Sequence, residues 1–155
     1  MLSKAILSTV LQLPSARRAA EKARPHQLSL GCPRGIEKLI HTCRAAFEAR
    51  YIIGRSDFEN GFNSLSRQQM LDNHAAVYPE ATGIFNFLYG VDAPVFLIDD
   101  KERITVVWSS EGPRQGCAAG THLFGTGVIP LLNKLQSNYP EFVLLVLTDD
   151  INMPE

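Results

Sequence analysis

The stretch Phe142-Val143-Leu144-Leu145-Val146-Leu147-Thr148-Asp149-Asp150 decides the fold. Its continuous apolar run is short, as expected of a buried strand rather than a helix, and it leads straight into two acids. An acid at a strand end costs little if it reaches water or a metal, and much if it is buried alone. A second apolar strand is expected over Tyr51–Phe58, with Ile52 and Ile53 inside it, and it too reaches an acid at its end, Asp57. Two such strands lying side by side would bring Asp57, Asp149 and Asp150 together. Like charges held close repel, and raise one another's pKa, unless a cation sits between them. Magnesium suits such a place, because it takes one or two carboxylates plus substrate phosphates. A pair of such ions about 4 Å apart stabilises both the attacking and the leaving oxygen of phosphoryl transfer. Taken singly, Asp57 is better explained as a turn or helix-capping residue before Ser64, and Asp149-Asp150 as a hairpin turn; it is their joint occurrence around a glycine-rich loop that shifts the balance.

Outward from these strands the chain alternates helix and strand. Residues 2–13 and 15–24 read as helices separated by Pro14. Pro25, Gly31, Pro33 and Gly35 punctuate a loop. Residues 35–49 place Ile36, Leu39, Ile40, Cys43 and Phe47 on one helical face. Helices are expected over 66–78, 81–89 and 119–137. Pro94–Ile98 and Ile104–Trp108 flank the polar turn Asp99-Asp100-Lys101-Glu102, a hairpin signal. The order predicts an α+β domain with helices packed on one face of an antiparallel sheet.

The length of 155 residues fits one domain. With 45% apolar and 20% charged residues, and apolar runs too short for a membrane span, it has the composition of a globular protein with no membrane partner. Cys32, Cys43 and Cys117 are odd in number and form no C-x-x-C pair, so neither a disulfide framework nor a zinc site is suggested, and a reduced intracellular setting is expected. The net charge of −1 conceals an asymmetry: residues 1–50 hold nine Lys and Arg against three acids. A basic first third could face a phosphate backbone, although on charge alone a solvated helix surface is the better explanation. Residues 1–24 are apolar, then basic; Pro14 interrupts the amphipathic pattern a transit peptide would need.

The loop Ser109-Ser110-Glu111-Gly112-Pro113-Arg114-Gln115-Gly116 opens the helix near Ala119. Its glycines permit close backbone approach to a ligand, and Gln115 carries both an amide donor and an acceptor. With Asp57-Phe58-Glu59-Asn60-Gly61-Phe62-Asn63, followed by Ser64-Leu65-Ser66-Arg67, and with Leu147-Thr148-Asp149-Asp150, this loop completes a set of three segments in fixed order. The set resembles the reverse transcriptase palm of non-LTR, LINE-like retroelements, whose motifs read D-x-x-N-A-F-N, S-x-x-G-x-x-Q-G and aromatic-x-D-D. Tyr89-Gly90 and the upstream Gln27-Leu28-Ser29-Leu30-Gly31 fit the same pattern, so the resemblance covers roughly residues 25–153. Gly61 stands where the pattern has alanine, Leu147 where it has an aromatic residue, and Cys117-Ala118 where it has an acid and a proline.

The resemblance implies an RNA-directed DNA polymerase acting on an RNA or DNA template with a primer and deoxynucleoside triphosphates. Residues 1–50 would be partial fingers and lead-in helices, and 51–155 the palm. Asp57, the backbone carbonyl of Phe58, and Asp149 would hold two Mg2+ ions, with Asp150 as the supporting carboxylate. Phe62 would gate the sugar 2′ position against ribonucleotides, and Gln115 and Gly116 would contact the incoming nucleotide and template base. Arg114 reads as a surface residue. The sequence ends five residues after Asp150, so the strand returning from the hairpin is expected to be nearly absent, leaving an exposed edge beside the site. No thumb is expected within this sequence, and polymerisation by this chain alone is not expected; a retroelement fragment, or a nucleic-acid-binding remnant using its basic third, is the alternative.

Overall fold

A computed structural model describes residues 2–154. Its strands are β1 (Ile53–Asp57), β2 (Ala93–Ile98), β3 (Ile104–Ser109), β4 (Leu145–Leu147) and β5 (Asp150–Pro154). β1, β5 and β4 form an antiparallel sheet in that order, with Ser56 opposite Ile151 and Ile151 opposite Val146. The returning strand is therefore present. The five residues counted as too few are enough, because β5 is the central strand and is held from both sides. The edge of β4 is not open either. Leu28 N–H donates to Val146 O (2.7 Å) and Val146 N–H to His26 O (2.8 Å), so residues 26–28 lie along it as a parallel strap. In this sheet β1 carries the free edge.

The pleat sorts these strands into two faces. Val146, Ile151 and Met153 face α7 (Gly120–Gly127) and α8 (Ile129–Asn138), packing with Phe124, Val128 and Leu132. Opposite them, Leu145 and Leu147 line clefts beneath the first turns of α3 (Gly35–Glu48), which lies against all three strands. Helices thus stand on both faces rather than on one. The expected apolar face of α3 is not its buried face: Ile36, Ile40 and Phe47 are 56%, 57% and 75% exposed, while Gly35 and Ala46 are buried. Periodicity identifies an apolar stripe, but not what covers it.

The remaining helices are α1 (Leu2–Gln12), α2 (Pro14–Glu21), α4 (Gly61–Ser64), α5 (Arg67–Val77) and α6 (Thr82–Tyr89), the last preceded by a 3-10 turn at Pro79–Ala81. A second core joins them, from Leu7 and Ala19 through Met70, Tyr78 and Phe85 to Leu123. α7 serves both cores, since Leu123 packs into the helical one and Phe124 into the sheet-side one. All of α7 except Thr121 is buried, as expected of a helix enclosed on every side. Two prolines act as starts rather than stops. Pro14 opens α2, and Pro130 sits in the first turn of α8, dividing the expected helix 119–137. β2 and β3 form the expected hairpin, closed where Asp99 accepts from the N–H groups of Lys101 and Arg103 (both 2.9 Å). The apolar residues of the hairpin are exposed on both faces. No described helix is long and apolar enough to cross a membrane.

Candidate functional site

Strand register places Asp57 directly opposite Asp150, and Asp150 directly opposite Leu147. Directly opposed residues point to the same side, with Cα atoms about 4.5–5.5 Å apart, so both carboxylates stand on the face away from α7 and α8. Asp149 occupies the turn beside them, after Thr148 at φ 63°. Asp57 is exposed and Asp150 half-exposed, so neither carries the desolvation penalty of a buried ion. The cation at hand is a side chain: Arg55 Nη2 donates to Asp150 Oδ1 at 2.8 Å. The Arg55 pKa is raised, first by this hydrogen bond, then by the charge of Asp150, and further by Asp57.

The donor set can be tested against magnesium on these observations. Among the described residues no three His, Cys, Asp or Glu side chains are grouped to hold a metal ion. Asp57 and Asp149 are hard oxygen donors at an accessible sheet end, which fits an ion that completes its shell with waters and substrate phosphates. Asp150 is engaged by Arg55, which fits a supporting carboxylate better than a ligand.

The turn is anchored from the strap. Gln27, fully buried, donates from Nε2 to Thr148 O (3.0 Å) and accepts at Oε1 from Thr148 N–H (2.9 Å). Ser29 Oγ donates to the same Oε1 at 2.6 Å. The strap in turn presses on α7, where a Cβ on Gly125 would stand 2.5 Å from Leu30 Cδ1.

The segment after Asp57 is locked to the loop 109–116. α4 follows directly, and a Cβ on Gly112 (φ +55°) would stand 1.6 Å from the Phe62 carbonyl oxygen, so only glycine fits there. Gly112 N–H donates to Leu65 O at 2.8 Å. Arg67, 6% exposed, closes the junction. Its guanidinium donates to Gly112 O (3.2 Å), Ser109 O (2.5 Å), Ser109 Oγ (2.9 Å) and Glu111 O (2.9 Å), while its backbone N–H donates to Glu111 Oε2 (2.8 Å). Burial lowers the Arg67 pKa, and the charge of Arg114 lowers it further.

Phe62 is half-buried and stacks on Phe124, with centroids 4.6 Å apart and planes 6° apart; Phe58 meets the same ring edge-on at 6.2 Å. Gln115 and Gly116 are exposed and line a cavity of about 220 Å3 with Ser3, Lys4 and Tyr89. That cavity shares no lining residue with the aspartates. Its link to them runs through Arg67, Gly112 and Phe62. Arg114, expected at the surface, is half-buried over the Tyr89 ring at 5.0 Å and donates to Val91 O (3.2 Å). A larger cleft of about 940 Å3 lies between the strap, α3 and Leu145, and gathers Arg24, Arg34, Lys38 and His41 around the single acid Glu37.

Arg67 and Gln27 carry contacts that the sequence did not assign, although both lie inside the quoted motifs. Their partners are 42–45 and 121 residues away. The available signal was a charged residue inside an apolar-spaced helix start, and an amide before a strand-like Leu-Ser-Leu.

No protein-family model matches the chain. Over 152 residues it is 26% identical to the retrotransposable element SLACS 132 kDa protein of Trypanosoma brucei gambiense, a match covering 95% of this chain and 12% of that protein. Among solved structures, apo telomerase from Candida tropicalis, truncated from its C-terminal domain, superposes with a TM-score of 0.64 at 15% identity, covering 98% of this chain and 34% of the telomerase chain. The chain thus has an α+β fold shared with part of telomerase, and along nearly its whole length it is similar to about an eighth of a retrotransposon protein.

Proposed function

We propose that this chain carries the palm of an RNA-directed DNA polymerase, which adds deoxynucleotides to a primer 3′-hydroxyl. The observation that supports it most is the pairing of Asp57 with Asp150, with Asp149 on the adjoining turn. Similarity to a retrotransposon protein and a fold shared with telomerase support the same class. The division into partial fingers (1–50) and palm (51–155) belongs to the proposal.

Two Mg2+ ions, held by Asp57, Asp149 and the Phe58 carbonyl, would supply charge neutralisation on the triphosphate when bound. The protein's own part is positioning. Asp150, held by Arg55, keeps the hairpin end beside β1. Phe62, braced on Phe124, would gate the sugar 2′ position against ribonucleotides. Gln115 and Gly116 offer exposed amide and backbone groups to a nucleotide and template base. Arg24, Arg34, Lys38 and His41 give the strand of a template a cationic path beside β4.

The test is Mg2+-dependent incorporation of a labelled deoxynucleotide on an RNA template with a DNA primer. Incorporation should vanish in Asp57→Ala and in Asp149→Ala, and Phe62→Ala should admit ribonucleotides. Undiminished extension by either aspartate variant would end the proposal. A second reading, a nucleic-acid-binding remnant without activity, is favoured by the cleft that gathers Arg24, Arg34, Lys38 and His41 around the single acid Glu37. It predicts salt-sensitive RNA binding, weakened by Arg34→Glu and Lys38→Glu, with no incorporation by the unaltered chain.

A further inference from the structure

We propose that Gln27 is the positioning residue of the aspartate hairpin: its buried amide, bonded to both backbone groups of Thr148, sets where Asp149 and Asp150 stand. The bonds are reciprocal and leave no freedom of orientation. A backbone N–H only donates and a carbonyl only accepts, so the carboxamide can face Thr148 one way round. Ser29 fixes it from the other side, with Oγ at 2.6 Å and N–H at 3.3 Å from Oε1. Gln27 is itself held in place, because His26 and Leu28 on either side of it bond to Val146, its own N–H donates to Ala23 O, and its stem lies against Gly125 of α7.

An independent observation points the same way. Thr148 is β-branched and holds φ 63°, a left-handed conformation that such residues adopt only when their surroundings impose it. Gln27 is the group that grips both of its backbone polar atoms. The residues after Thr148 are the two acids, so its dihedral angles decide the direction in which they leave β4. The grip reaches the turn from outside the sheet, across 121 residues of sequence, and so leaves the open face free for a ligand.

The consequence for metal binding rests on the polymerase proposal; the consequence for the hairpin does not. Gln27→Met keeps the volume and removes both bonds, and Gln27→Glu keeps an acceptor but sets a carboxylate against the Thr148 carbonyl. Each full-length variant is compared with the unaltered chain well below its melting temperature. The measurements are Mn2+ affinity, from paramagnetic broadening at Asp57 and Asp149, and amide hydrogen exchange. Both variants should bind Mn2+ roughly 10–100-fold more weakly, the usual effect of losing a group that orients metal ligands. Exchange at Thr148 and Asp149 should accelerate at least about tenfold, equivalent to one net hydrogen bond, with α7 amides unchanged. Wild-type Mn2+ affinity in Gln27→Met, or exchange that accelerates only globally, overturns the proposal. Absence of Mn2+ binding by the unaltered chain overturns the polymerase reading instead. Exchange then decides alone: local acceleration upholds the role of Gln27, and none refutes it.

Discussion

Replacing Arg67 tests the junction between the two halves of the site. Its guanidinium serves three backbone carbonyls and one hydroxyl. These acceptors are not equal. Glu111 is exposed and Ser109 half-buried, so water can take over there, whereas Gly112 is buried beneath Phe62 and its carbonyl would be left without a donor. An acceptor stranded in this way costs about 1–3 kcal/mol, and loss of the packed stem adds about 1–2 kcal/mol. Arg67→Ala should therefore destabilise by about 2–5 kcal/mol. Arg67→Met keeps the stem and should lose about 1–3 kcal/mol; Arg67→Lys keeps one charged donor and should lose less, about 1–2 kcal/mol. Asp92, 3.8 Å away with its side chain 57% exposed, makes a screened pair, so Asp92→Asn should stay within about 0.5 kcal/mol. Urea unfolding at neutral pH measures all four, and Tm should fall by about 2–4 °C per kcal/mol. If Arg67→Met matches the unaltered chain within about 0.5 kcal/mol, the guanidinium does not hold the loop and the argument fails.

Gly112→Ala should destabilise by more than about 3 kcal/mol, because its Cβ meets a backbone oxygen, whereas Gly116→Ala, with open space around it, should lose only the left-handed penalty of about 1–2 kcal/mol; paired urea curves separate the two. His74 is held neutral, its pKa lowered to about 3 by burial and then by the neighbouring His122, whose own pKa is lowered by burial. The unfolded chain therefore binds protons below pH 6.5 that the native state refuses, so stability is full above that pH and falls toward pH 3, by up to about 1.4 kcal/mol per pH unit for His74. Unfolding free energies between pH 7 and 4 should show this slope, and His74→Phe should flatten it. The apolar hairpin, with Phe96, Ile98, Ile104 and Trp108 all more than half exposed, should bind an anilinonaphthalene dye in the native state at neutral pH. Phe96→Lys with Trp108→Lys should abolish most of the fluorescence; an unchanged signal would place the dye elsewhere.

What the sequence disclosed was local. Alternation and the polar turn located β2 and β3, and the run before Asp149 located β4, although only Leu145–Leu147 forms the strand, because Leu144 is diverted into bonds with Gln136 and His26. The aspartates were legible because acids at strand ends are conspicuous. The cation between them was not, since Arg55 alternates with exposed neighbours like any surface arginine. The metal was expected to relieve the repulsion; a guanidinium two residues before Asp57 does part of that work. The strand after Asp150 was misjudged because length was weighed without its two partners. Gln27 and Arg67 were opaque for a different reason: a buried polar side chain is explained only by the groups it meets, and those lie far along the chain.

The neighbouring positions Leu123 and Phe124 turn α7 into a party wall, with one room on each side. The Phe62 ring leans on it from the sheet-side room, while the side of Leu123 belongs to helices that flank the Gln115 loop. Neither room can be redecorated alone. A bulkier residue at 123 or 124 would displace α7 toward the opposite room, so a packing change on one side is felt on the other.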